Sequence, residues 1–488
     1  MNLTARVSTP TLRPMRLWLG FSSVAHRAHL AVVLLALFAA ASLPAFAAHV
    51  TDVADAMDEQ HPLEVDLEAT YLHARSETRL TRENLQADAA GNRGIQLVDE
   101  LRHVRTVDET DLRLGVGLWH DLELHFILPL VIRDVQDWDY AIVNGASVAS
   151  VSTLANNHID ISGCGGAGSC DQTVAKPIVP GAGQSTRAGF RDPTIGIAWG
   201  PINEERELKL KPELFPEGKP VSTWVVGFDY TLPLPGGTAD DPSLFGFNAA
   251  AGAVPAAKQG NESKRAHVFT LWTAFSKRFR VLDPYVRFYA SAPYVPKGSG
   301  TVGDGAYDNC WHTNLLSDVA TQNCADTHWR GQTGYRPPYE GGFTVGTELV
   351  AAEDQRAQQK LAFDVRADVH YYGPGRVYSQ VADLLGKLTF ADEHLATEFQ
   401  VGLYGRIARW LHLRVYGSLG FDTPHYLTTE AVGQDINGNG SITLSAGKTP
   451  PSLEQNPLYD FRLDQIGRRL RAETVMTLGI AGTLSLNF

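Results

Sequence analysis

The chain closes on "MTLGIAGTLSLNF", and this ending restricts the fold more than any other stretch. Met476, Leu478, Ile480, Gly482, Leu484, Leu486 and Phe488 share one face of an extended strand; Thr477, Gly479, Ala481, Thr483, Ser485 and Asn487 share the other. In water an uncharged apolar edge strand templates aggregation. It is stable where hydrocarbon solvates the apolar face and another strand pairs the edge.

The same alternation recurs along the chain, in pairs of segments. "LEVDLEATY" sets Leu63, Val65, Leu67, Ala69 and Tyr71 against Glu64, Asp66, Glu68 and Thr70. "DLRLGVGLW" turns at His120–Asp121 into "LELHFILPL". "DPTIGIAW", "STWVVGFDYTL", "HVFTLWTAFSKRFRVLDPYVRFYA", "GGFTVGTELVA", "LAFDVRADVHYY", "HLATEFQVGLYGR" and "LHLRVYGSLGF" continue the pattern. The connections alternate between a mostly short series (120–121, 200–221, 276–280, 352–359, 407–410) and a long polar one (74–108, 132–189, 233–265, 292–340, 373–393, 422–472). Trp119, Trp199, Phe279, Trp410 and Phe488 fall at the short-turn end; Tyr71, Tyr230, Tyr289, Tyr371 and Phe421 fall at the long-loop end. Two aromatic girdles one strand-length apart mark the two interfaces of a bilayer. The pattern predicts an all-β fold: a transmembrane antiparallel up-and-down β-barrel of about 12 strands, with long extracellular loops and short periplasmic turns. A soluble sandwich or propeller also alternates, but needs neither girdles, loop asymmetry nor an apolar last strand.

Export agrees with this. Arg6, Arg13, Arg16 and Arg27 precede the apolar run Leu30–Ala41, and Ala45 and Ala47 supply an A-x-A cleavage pattern, so residues 1–47 read as a signal peptide. Residues 48–62 then form a short periplasmic segment, and 63–488 the barrel. Removing those four arginines moves the formal charge from −12 by four units to −16, which excludes a broad basic nucleic-acid-binding surface. The four cysteines form two local pairs, Cys164 with Cys170 and Cys310 with Cys324; outside a Gram-negative cell they are expected as disulfides.

"TLSLNF" resembles the last strand of bacterial outer-membrane proteins, which implies that the barrel-assembly machinery reads Phe488. "GVGLWHDLELHFILPLVI", "GFRDPTIGIAWG" and "VVGFDYTLPLPGG" resemble the outer-membrane transporter family related to the phenol meta-cleavage pathway proteins. The likeness covers roughly residues 107–235 and the final strand. Leu234-Pro235-Gly236 departs from that family's Pro-Thr-Gly. The resemblance implies passive, porin-like uptake of a small-molecule solute through outer-membrane lipid, without catalysis.

Inward faces should carry the polar residues. The lumen-lining candidates are Glu64, Asp66, Glu68, Arg113, Glu123, His125, Glu348, Asp364, Arg366, Asp368, Glu398, Arg406 and Arg414. Such charges either tune a pore or pair with one another to fill the barrel. In "DINGNGSI", Asp435, Asn437 and Asn439 with Gly440 match the first half of a Ca²⁺ loop at 435–442. Position twelve is Ala446 rather than glutamate, and an Asn/Gly loop tip with Asx-turns is the competing reading. No other cofactor is indicated: Cys310, His312, Cys324 and His328 have zinc-ligand types, but oxidation favours a disulfide, and "GAGQST" lacks a phosphate-loop lysine. His370, His394 and His425 lie at the outer rim, where a barrel hydrolase would place its histidine, without a Ser–His motif. A structural or adhesive barrel is the other alternative.

Overall fold

The computed structural model describes residues 48–58, 61–87, 93–150, 152–154, 183–203, 222–234, 258–259, 266–279, 281–295, 336–354, 357, 359–385, 388–443, 454, 456, 459–460 and 462–488. The expected leader 1–47, the four cysteines, His312 and His328 lie outside these residues.

Twelve antiparallel strands form the wall: β1 Val65–Ala87, β2 Arg93–Trp119, β3 Leu122–Tyr140, β4 in two pieces Gly183–Phe190 and Thr194–Ile202, β5 Ser222–Thr231 and β6 His267–Lys277. The circuit continues through β7 Leu282–Tyr294, β8 Glu340–Asp354, β9 Gln359–Tyr372, β10 His394–Ala408, β11 Leu411–Asp422 and β12 Leu470–Asn487. Each pairs with its sequence neighbour, and β12 returns to β1 in a register from Leu470↔Arg82 to Asn487↔Asp66. At the seam's lower end Phe488 N–H donates to Val65 O (3.0 Å) and Val65 N–H to Phe488 O (3.1 Å). No edge survives in hydrocarbon.

Side-chain alternation does the rest. Leu67, Leu112, Leu114, Leu124, Phe228, Leu271, Phe288, Val345, Phe363, Val401, Val415 and Ile480 point outward and stay exposed, as lipid-facing residues must. Trp119, Trp199, Phe279, Trp410 and Phe488 ring the short-turn rim. Tyr71, Tyr371 and Phe421 mark the upper level. Tyr289 does not: it falls on the inward face of β7, and Phe288 is the outward ring.

The segment expected as a long loop at 74–108 is strand. β1 and β2 stay paired from Tyr71↔Thr110 up to Ala87↔Arg93. The 27 residues of β2 extend roughly 90 Å at about 3.3 Å each, far more than a bilayer needs. Above Tyr71 the outer face changes from apolar to ionic, with Arg102 on Glu77 (2.6 Å) and Arg133 on Asp108 (2.8 Å). Backbone pairing continues without a lipid-facing stripe, so the sequence there does not look like strand. β4 breaks at Arg191-Asp192-Pro193, where proline offers no N–H; its upper piece pairs only β3 on the barrel path, its lower piece both β3 and β5.

Ile480 on β12 is 56% exposed near mid-band. Ile480→Arg is expected to cost about 2–4 kcal/mol of folding free energy in bilayers, measured by urea unfolding in vesicles. Thr483→Arg, on the inward face, should cost less.

Candidate functional site: a charged chamber inside the barrel

All thirteen lumen-lining candidates occupy inward positions. Their charges pair both within and between strands. Arg113 bonds Glu123, and His125 lies 3.2 Å from Glu123 and 2.9 Å from Asp229. Asp364 accepts from Arg414 (2.7 Å) and from the Tyr285 hydroxyl (2.6 Å). Glu348 pairs Lys360 at 2.7 Å, and Arg366 faces Asp368 at 3.3 Å. Glu68 accepts from Thr70 (3.3 Å), while Glu398 and Arg406 share the inward face of β10.

Between these groups lies a cavity of about 290 Å³. Asp52, Asp66, Glu68, Asp229, Glu348 and Asp364 face Arg113, Arg287, Arg366 and Arg414 across it, with Trp272, Tyr285 and three histidines. Sequence reasoning missed Asp229, Trp272, Arg287, Lys360 and His412, although each sits on the inward parity of a strand already recognised.

Inward glycines were missed too, and they shape the lumen. Trp272 lies against Gly227, His125 against Gly196, Tyr285 against Gly346, Tyr289 against Gly342 and Tyr416 against Gly402. A Cβ at Gly196, Gly227 or Gly346 would overlap the ring in front of it. The missing side chains let these rings lie flat on the wall.

The short-turn mouth is filled by the chain's own segment 48–56. Ala48, Thr51, Val53, Ala54 and Ala56 are buried although they precede the barrel. His49 N–H donates to Glu348 Oε1 (2.8 Å), the Thr51 hydroxyl meets that of Ser276 (2.8 Å), and Ala54 N–H donates to Glu123 Oε2 (2.9 Å). Asp55 accepts Asp121 N–H at 3.0 Å, and His49 stacks on Tyr404 with ring centres 5.2 Å apart. Residues 48–62 were expected as a short periplasmic N-terminal segment; residues 48–56 lie against lumen side chains, because inward carboxylates supply acceptors for their N–H groups.

Beyond the upper girdle the strand extensions and loops make a second core. Leu80, Leu101, Trp138, Leu154, Val381, Leu384, Leu385, Leu427, Leu463 and Leu470 bury one another. Buried ion pairs fasten it: Arg187 with Asp383 (2.6 Å), Arg376 with Glu430 (2.5 Å) and Arg462 with Asp460 (2.8 Å). Glu83 ties three parts together, accepting from Arg469 (2.8 and 3.0 Å), the Tyr426 hydroxyl (2.6 Å) and Gly467 N–H (2.7 Å). Burial raises its pKa, but these donors outweigh burial and hold the carboxyl down at about 2.

Asp435 turns its carboxylate back onto its own loop, accepting N–H groups from Asn439 (3.0 Å) and Gly440 (2.7 Å). Asn437 accepts from Asn439, and Asn439 from Ser441. Glu454 accepts N–H groups from Asn437 (3.3 Å) and Thr443 (2.7 Å). The loop's positive-φ residues are Gly438 and Gly440. Of the rim histidines, His370 bonds Tyr289 (2.7 Å), and His394 stacks on His425 at 3.8 Å. Burial, then His394, pushes the His425 ring down to about 4.

A group whose pKa is lowered by folding stabilises the fold above its unfolded value. For Glu83 that contribution is complete above pH 4.5 and disappears as pH falls towards 2. Trp138, in the upper core, should therefore become more quenchable by iodide across that window, and Glu83→Gln should show the enhanced quenching already at pH 7.

No family model matches the chain, and no curated protein matches it. Among solved structures it is similar to the COG4313 outer membrane channel from Pseudomonas putida F1: 10% identity, 86% of this chain and 95% of that one, TM-score 0.36. It is similar to a Pseudomonas aeruginosa FadL homologue (9%, 87% and 90%, TM-score 0.29) and to the outer membrane protease OmpT of Escherichia coli (6%, 87% and 96%, TM-score 0.24). At such TM-scores the likeness carries no argument, and the fold stands on this chain's own strand register. Closure of twelve antiparallel strands beneath a continuous lipid-facing apolar band makes the chain a bacterial outer-membrane β-barrel protein.

Proposed function

We propose that the chain is a non-enzymatic outer-membrane channel for small solutes, with the charged chamber as its passage and residues 48–56 as the gate at the short-turn mouth. The observation that carries this reading is the chamber. A barrel solvated by lipid encloses about 290 Å³ of ionisable surface, room for several waters. Apart from the Ala56↔Leu63 pairing and the Glu64 N–H on the Asp55 carbonyl, the segment below it is held by hydrogen bonds to side chains of the wall. Those bonds can exchange for water without opening the wall. Six lining carboxylates against four arginines favour cations over anions once the passage is wet.

Gly117 provides the test. A Cβ there would overlap the Asp55 carbonyl, so Gly117→Ala should unseat the segment without changing any lumen charge. In planar bilayers, Gly117→Ala and a deletion of residues 48–56 should raise the step conductance several-fold over wild type. A potassium chloride gradient should give a cation-selective reversal potential. Silence from both variants would return the chain to the structural or adhesive class.

A further inference from the structure

At the short-turn mouth one fully buried carboxylate among the described residues stands apart from the paired side chains. Glu348 is matched by Lys360 at 2.7 Å and Glu353 by Arg278 at 2.6 Å. Asp283 is 0% exposed, and neither of its carboxylate oxygens has a hydrogen-bond partner among the described residues. A buried carboxylate without a donor is strongly unfavourable, and a cation beside it would offset that cost.

The register places a second carboxylate beside it. Asp283 stands directly opposite Glu348 on the adjoining strand, and such partners hold their Cβ atoms about 4.5–5.5 Å apart. Glu348 Oε1 accepts the His49 N–H at 2.8 Å. Ala48, one residue upstream, is 0% exposed, and its carbonyl accepts from Thr51, whose hydroxyl meets Ser276 on the same wall. Ala48 is therefore buried at the same end of the wall as the two carboxylates. His49, Asp52, Arg406 and His412 are the other ionisable groups near this end, and Asp52 and Arg406 carry opposite charges.

We infer that Asp283, with Glu348 beside it, is a binding site for the α-ammonium group of Ala48, created when the leader is cut off after Ala47. Hydrolysis of the Ala47–Ala48 peptide bond consumes one water, leaves a carboxylate on Ala47, and gives Ala48 an amine that takes up a proton at neutral pH. An uncut chain presents a neutral amide at this point and leaves Asp283 uncompensated. Processing thus seats segment 48–56 in the mouth, whether or not the chamber conducts.

The test uses protein purified from outer membranes: wild type, Asp283→Asn, and a variant with Gly-Ser inserted between Ala47 and Ala48. N-terminal sequencing should read Ala-His-Val for wild type. After ¹³C reductive dimethylation, which preserves the charge, the wild-type terminal amine should titrate at least one pH unit higher than that of Asp283→Asn, a tenfold change in acid dissociation constant. Amide exchange over residues 48–56, read by mass spectrometry, should be at least tenfold faster in both variants. The insertion variant leaves Asp283 intact, so it decides the matter if Asp283→Asn fails to fold. A different N-terminus, equal titration midpoints, or unchanged exchange in the insertion variant would overturn the assignment and leave Asp283 to a water molecule or a small inorganic cation.

Discussion

Hydrocarbon cannot hydrogen-bond, and everything else in this molecule follows from that. Each backbone N–H and C=O inside the bilayer must find its partner in the wall itself. An open sheet would leave two unpaired edges, so the first and last strands must meet. They do so along the whole length of β12, down to the reciprocal bonds between Val65 and Phe488. The apolar ending that would be a liability in water is the piece that completes the cylinder.

Closure creates an interior that lipid never reaches, and ionisable residues can collect there. They persist because carboxylates and cations face each other across strands, as Glu348 faces Lys360 on the next strand and Asp364 faces Arg414 two strands away. The two ends are built on different physics. Above, Trp138 and the surrounding leucines form an ordinary hydrophobic core, fastened by buried ion pairs. Below, a short stretch of chain rests on lumen side chains through hydrogen bonds that water can replace.

What the sequence made legible was whatever obeys the two-residue period. The lipid-facing stripe, the strand number, the lower girdle and the polarity of positions such as Asp66 and Asp364 all follow from it. Where outer and inner faces carry the same chemistry, the period vanishes: the ionic upper halves of β1 and β2 read as loop for that reason. Tyr289 was misplaced because parity along β7 shifts a tyrosine between membrane interface and lumen with a one-residue change of register. The burial of residues 48–56 was invisible because it rests on contacts such as His49 with Glu348, 299 residues apart in sequence. Lys360 and Arg287 were in sight, on strands whose acidic neighbours drew attention first.

The rings laid over glycines have a consequence for how such proteins diverge. In a barrel the diameter is tied to strand number and stagger, so the bore would be expected to change only by wholesale rebuilding. Here the clear space also depends on whether Trp272, Tyr285 and their like recline on the wall or stand away from it. Swapping a hydrogen for a methyl beneath one ring would tip it towards the axis and tighten the bore. Selection can therefore adjust calibre one methyl at a time while the hoop of strands stays as it is.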